Sequence, residues 1–163
     1  MDAGHPLQLH EERVLAEWID ANGHMNLAYY VLAFDHATDA AFDLIGIGNA
    51  YRQATQHAIF VLETHVTYER ELVRGDPMRF TTQLLGVDDK KLHLFHAMYH
   101  ARDGFLAATN EILGVHVDLT ERRSSPFPAA ALERLDRMAE AHRRLPWPKQ
   151  AGRAIALGRK PAS

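Results

Sequence analysis

Seven consecutive residues, Asp20-Ala21-Asn22-Gly23-His24-Met25-Asn26, place a carboxylate, an imidazole, two side-chain amides and a glycine turn just before a long segment with an apolar stripe. If that segment is a helix beginning at Leu27, its first backbone N–H groups have no acceptor within the helix. Such amides can bind a carbonyl oxygen and hold the negative charge that develops on it. A carboxylate beside them can activate water or attack carbon directly. A plainer account is equally compatible with the spacing: Asp20 or Asn26 only caps the helix.

Other chemistries are poorly supplied. Cysteine is absent, and serine occurs only at 124, 125 and 163 with no G-x-S-x-G around it, so an acyl-enzyme on Ser or Cys has no evident nucleophile. Gly46-Ile47-Gly48 lacks a third glycine and follows a helical pattern, which disfavours a dinucleotide loop, and no phosphate-binding G-x-x-x-x-G-K occurs. Eleven histidines raise the question of a metal. The suggestive pair, His96 and His100, falls in an alternating segment where a strand would hold them about 13 Å apart, too far to share one ion. His93 and His96 point to opposite faces of that strand. The expectation is therefore no metal and no cofactor.

The composition is that of an ordinary globular chain. Its 163 residues suit one domain, with 47% hydrophobic residues to build a core. Lys and Arg number 18 against 21 Asp and Glu, a net charge of -3, so no basic footprint calls for nucleic acid. The absence of cysteine, of a leader-like start and of any 18-residue apolar run points to a cytoplasmic protein with no membrane partner.

The elements that must position the seven residues follow from periodicity. Residues 14–19 read as a strand leading into the Asp20 turn. From Leu27, apolar residues at 27, 30, 31, 34, 37, 41, 42 and 45 give a helical stripe with Asp35, Asp39 and Asp43 opposite, and Gly46 ends it. Four strands follow at hairpin spacing, over 58–68, 78–87, 92–101 and 105–119, with Gly114 as a candidate bulge. A second helix starts near Pro128 with Leu132, Leu135, Met138 and His142 along one side. The organisation is a lead-in at 1–13, one domain over 14–145 and an irregular tail at 146–163. One strand, a long helix and four adjacent strands make an α+β pattern, an antiparallel sheet with a helix on one face.

The Asp20–Asn26 stretch with Tyr30 after it resembles the D-x-x-G-H-[VM]-N-x-x-x-Y signature of the hotdog-fold acyl-CoA thioesterases related to 4-hydroxybenzoyl-CoA thioesterase. Glu63-Thr64-His65-Val66-Thr67-Tyr68 and Gly75-Asp76-Pro77 are similar to that family's second strand and following turn. The resemblance implies a hotdog fold, with a five-stranded antiparallel sheet wrapped around the long helix, and two chains paired edge to edge as a homodimer or within a homotetramer. It implies an acyl-CoA substrate, Asp20 as nucleophile or general base, and backbone amides from Met25 to Leu27 on the thioester carbonyl. Gly23, His24, Asn26 and Tyr30 would shape the substrate loop, and Glu63 and Thr64 would line the pocket across the interface.

A longer similarity points to one branch of that family. Residues 29–39, 92–96, 106–111, 122–128 and 151–155 look like the betainyl-CoA thioesterases of carnitine breakdown, which implies hydrolysis of betainyl-CoA to betaine and CoA. A permanent cation of that kind is best held by aromatic faces and carboxylates. Trp18, Tyr29, Tyr30, Phe34, Tyr68 and Glu63 are candidates, although an aromatic stripe on a helix also serves as core. Arg122 and Arg123 fit either CoA phosphates or a solvated surface. Rival readings are a thioesterase for neutral acyl groups, a non-catalytic acyl-CoA-binding protein, and a hydratase. The last is disfavoured because its D-x-N-x-x-H motif needs a histidine one position after His24.

Overall fold

Helix α1 (Leu27–Ile45) buries Tyr30, Ala33, Phe34, Ala37, Thr38, Ala41, Phe42 and Ile45 along one stripe, so an apolar concave surface must close around it. The computed structural model, which describes residues 5–157, shows that surface as a curled antiparallel sheet. Its strands are β1 (Leu7–Arg13), β2 (His57–Tyr68), β3 (Pro77–Val87), β4 (Lys91–His100) and β5 (Leu106–Asp118), in the order β1-β3-β4-β5-β2. A two-residue strand β6 (Arg123–Ser124) adds to β5. The layers are those of the expected α+β arrangement, with α1 as the element the sheet wraps.

The first strand is not where its sequence suggested. Residues 14–19 form no strand: Ala16–Trp18 is a 3₁₀ turn, and Ile19 makes only an isolated bridge to Met25. The strand lies earlier, within the expected lead-in, where Leu7–Arg13 pairs with β3. Its composition, LQLHEER, hid it, because an edge strand that turns polar groups both inward and outward shows little apolar alternation. A short helix α2 (Asn49–Thr55), with no fully buried residue, was also not anticipated. Positions 1–4 of the lead-in and 158–163 of the tail lie outside the described residues.

Irregular pairings help to curl the sheet. The bulge expected at Gly114 falls on the neighbouring strand, where Leu62 is inserted between the pairs Val61↔Gly114 and Glu63↔Leu113. Gly114 answers to packing, since a Cβ there would stand 2.8 Å from Ile59 Cγ2. Helix α3 (Ala129–His142) lays Ala131, Leu135 and Met138 against the far end of the core. It is tied down by Arg134 Nη1 donating to Ile45 O at 2.9 Å and by Leu84 N donating to His142 Nδ1 at 2.8 Å. Segment 146–157 carries no helix or strand, and its Gly152 N donates to Glu111 Oε2 at 2.7 Å on the outer face of the sheet.

In the core Phe34 and Phe80, both fully buried, meet edge to face at 5.8 Å. Beside them His96 bridges helix and sheet. Thr38 Oγ1 gives its proton to Phe34 O at 2.8 Å, so it accepts from His96 Nε2 at 3.1 Å, while Thr82 Oγ1 donates to Nδ1 at 3.0 Å. That network assigns a neutral, Nε2-protonated ring. Complete burial holds the His96 pKa down, to about 4, from its ordinary 6.5.

The sign of the pH effect follows. Below pH 6.5 the unfolded chain takes up a proton that folded His96 refuses, so stability is complete above 6.5 and falls as the pH drops toward 4. Burial shifts His142 and His116 in the same direction. Urea melts at pH 7 and pH 4.5 are expected to differ by at least about 2 kcal/mol, and His96→Gln should shrink that difference. An equal difference in wild type and variant would contradict this assignment.

Candidate active site

The residues around Asp20 form a closed loop. The chain leaves Trp18, turns, and returns so that Asn26 N donates to Trp18 O at 2.8 Å. Asp20 N donates to His24 O and Gly23 N to Asp20 O, both at 3.0 Å, with Gly23 at φ +82°. Only glycine takes that conformation cheaply, so the turn itself accounts for Gly23. Half-buried Asp20 accepts from Asn22 N at 2.8 Å through Oδ1, which fixes its carboxylate; among the described residues Oδ2 has no donor.

A second segment holds this loop from below. Met25 N donates to Leu72 O at 2.8 Å, and Leu72 N donates to the Tyr30 hydroxyl at 3.1 Å. Leu72 and Tyr30 are buried, and burial raises the Tyr30 phenol above its ordinary pKa, keeping it protonated. His24 Nε2 lies 3.8 Å from Glu71 Oε1 on the surface side of the same segment.

The amides expected to face substrate are not equally free. Met25 N and Asn26 N are spent on Leu72 O and Trp18 O, and Ala28 N is capped by Asn26 Oδ1 at 3.0 Å. Tyr29 N bonds to Asn26 O at 3.0 Å. Leu27 N remains, the first helical amide, with no acceptor among the described residues and a side chain 63% exposed. Tyr68 donates to Leu27 O at 3.3 Å, which puts a half-exposed ring at the same helical turn.

From that turn a groove of about 410 Å³ runs between the exposed side of α1 and edge strand β2, lined by Ala28, Val31, Leu32, Val61, Thr64 and Asn110 among others. Thr64 Oγ1 donates to Asn110 Oδ1, so this polar pair fixes its shape. Asp20, Gly23, His24, Met25, Asn26, Leu27 and Tyr30 are thus gathered in one loop and helix start, with Thr64 along the groove. Glu63, adjacent to Thr64, points to the other face of the sheet. There it joins His65, His93, Glu111 and Arg153 around a separate hollow of about 450 Å³.

Several expected aromatic contacts are not available. Phe34, Trp18 and Tyr30 are 0%, 5% and 4% exposed, so they belong to the core and offer no face to a ligand. Tyr68 and half-buried Tyr29, which stacks on Trp18 at 5.4 Å, are the accessible ones. Arg122 and Arg123 are exposed at the far end of β5, roughly 30 Å of strand from the Ala108–Tyr68 end beside the loop. The sequence reading missed Leu72, a lone leucine among charged neighbours, and Asn110, a buried amide. Each interrupts its local pattern, which was the available signal.

Comparison with known proteins identifies the family. Residues 14–135 match the family model described as the thioesterase-like superfamily. The chain is 43% identical to the betainyl-CoA thioesterase of Pseudomonas aeruginosa, over 93% of this chain and 95% of that protein. It is 36% identical to an L-carnitine dehydrogenase/betainyl-CoA thioesterase of Rhizobium meliloti, covering 98% of this chain but 32% of that longer one. A Staphylococcus aureus protein solved in complex with CoA superposes with a TM-score of 0.87 at 31% identity, over 97% of this chain and 100% of that one. With a sheet curled around a central helix, a carboxylate loop at that helix's start and these relatives, the chain belongs to the thioesterase-like superfamily, with a hotdog fold and thioester hydrolysis as its chemistry.

Proposed function

We propose that this protein hydrolyses betainyl-CoA to betaine and CoA, with Asp20 as the catalytic carboxylate. The observation that carries the substrate is the 43% identity to the Pseudomonas aeruginosa betainyl-CoA thioesterase over nearly the whole of both chains. The loop geometry supports the mechanism. Leu27 N–H, at the positive end of α1, donates to the thioester carbonyl oxygen and holds its charge as the carbonyl carbon becomes tetrahedral. Two routes share this arrangement. Asp20 either removes a proton from water as the water attacks, or attacks the carbon itself to give an anhydride that water then cleaves. In both, the C–S bond breaks and the CoA thiolate takes up a proton.

The groove beside Thr64 and Asn110 receives the ligand, while Gly23, His24, Asn26 and Tyr30 hold the loop that presents Asp20. The half-exposed ring of Tyr68 is the aromatic face best placed for a trimethylammonium group. The functional unit is a homodimer or homotetramer in which β2 pairs with its copy. Support comes from that edge strand, which exposes Phe60, Val61 and Leu62 at 54%, 49% and 56%. The reaction is placed in the cytoplasm, in keeping with a cysteine-free chain; among the described residues no helix is long and apolar enough to cross a membrane.

Three measurements test this reading. Asp20→Asn should fold and assemble normally, while turnover falls at least about a hundredfold, the scale for losing a general base or nucleophile; near-normal turnover would remove Asp20 from the mechanism. Light scattering on the active protein should give two or four chains, and an active monomer would rule out a shared site. For the acyl group, betainyl-CoA should be compared with 3,3-dimethylbutanoyl-CoA, which replaces only the quaternary nitrogen by carbon. A cation against aromatic faces gains on the order of 2 kcal/mol, so kcat/KM should favour betainyl-CoA by roughly thirtyfold. An equal or higher value for the neutral analogue would leave a thioesterase for uncharged acyl groups.

A further inference from the structure

We propose that His10, Glu12 and His36 form a binding site for one first-row divalent transition-metal ion of the zinc class, which pins edge strand β1 to helix α1. His10 and Glu12 are two apart on β1, so both side chains face inward. His36 reaches them from α1, 24 residues beyond Glu12, and only the fold brings the three together. The sequence expectation of no metal considered the histidines of a single strand and had no view of this set.

The distances are those a metal would set. His10 Nε2 lies 3.2 Å from Glu12 Oε1, and His36 Nδ1 lies 3.1 Å from Oε2 and 3.3 Å from Oε1. One ligand atom from each of the three residues can be chosen so that all lie within 4.8 Å of one another. A tetrahedral ion with bonds of about 2.0–2.1 Å separates its ligand atoms by about 3.3–3.4 Å, so small rotations would seat it. Two imidazoles and one carboxylate are the borderline donors that such ions prefer, with a fourth position left for water.

A second observation points the same way. His10 Nε2 is buried and has no hydrogen-bond partner among the described residues, despite its closeness to Glu12. An uncompensated buried nitrogen is unfavourable, and a metal bond would satisfy it. The surroundings keep the ring in place: His10 packs on Phe80 at 5.2 Å and meets the His36 ring edge-on at 6.0 Å. Asp39, three residues beyond His36 on α1, adds negative charge that favours a cation.

The site is structural with respect to hydrolysis. Ten residues of α1 separate His36 from Asn26, about 15 Å along the helix axis, so the ion cannot touch a thioester held at Leu27. It joins edge strand β1 to the central helix, reinforcing the His36–Glu12 contact that already links them. An ion that binds the folded chain and not the unfolded one raises the melting temperature by mass action.

The test is titration of the chelator-stripped full chain with Zn²⁺ against a chromophoric competitor, followed by Co²⁺ substitution. The expected result is one equivalent per chain, a melting temperature raised by roughly 5 °C at a hundredfold excess over Kd, and unchanged thioester turnover below the melt. Bound Co²⁺ should show the intense visible bands of a four- or five-coordinate ion, a readout that needs no variant. His36→Gln and His10→Gln should weaken binding at least tenfold, whereas His93→Gln on the outer face should leave it intact. Absence of stoichiometric binding, the weak spectrum of six-coordinate Co²⁺, or loss of binding in His93→Gln but not in His36→Gln would overturn the proposal.

Discussion

The burial of α1 inside the curl of the sheet is the constraint on which the rest depends. A helix whose Phe34, Ala37, Ala41 and Ile45 are at most 1% exposed cannot shift without emptying the core on both sides. Replacing Phe34 by alanine alone would cost about 3–5 kcal/mol, a large part of the stability of most domains. Because the helix is fixed, so is its first turn, and the amide of Leu27 is held at the rim of the sheet beside edge strand β2. The exposed side of α1 and that edge then leave a groove that starts at the same helical turn.

Local hydrogen bonding completes what packing begins. A seven-residue turn has many conformations, yet this one is bonded at both ends, to Trp18 through Asn26 and to Leu72 through Met25. Leu72 is in turn held by the hydroxyl of buried Tyr30, a helix residue, so loop and helix are fastened through a third segment. Breaking that link would leave the Leu72 amide buried and unpaired, a penalty of about 1–3 kcal/mol. The aromatic hydroxyl therefore serves the site by positioning it. The same economy holds deeper in the core, where neutral His96 satisfies Thr38 and Thr82 and ties helix to sheet.

Much of this was legible in the sequence, for physical reasons that differ by element. The central helix showed because burial on one side writes a period of 3.6 into the chain, and β3 and β4 showed because one face of each is apolar. The Asp20 loop showed because a glycine turn before a helix needs few residue types. Strand β1 did not show, since an edge strand that turns His10 and Glu12 inward breaks the alternation that marks a strand. Glu63 and Thr64 were read together, but consecutive strand residues face opposite ways, and only Thr64 lies on the groove side. Trp18, Tyr30 and Phe34 could not be sorted into core or pocket by spacing, because both roles use the same stripe. Contacts among residues distant in sequence, such as Met25 with Leu72, leave no periodic trace.

The central claim is that the thioester carbonyl sits at the start of α1, on the concave side, and not in the hollow on the outer face. The most direct measurement is backbone amide NMR of the protein with an acyl-CoA analogue in which CH₂ replaces the thioester sulfur, so that the carbonyl is kept and cannot be cleaved. The account predicts the largest shift at the amide of Leu27, with smaller ones from Asp20 to Asn26. Shifts centred on His65, His93 and Gly152, with Leu27 unmoved, would contradict it.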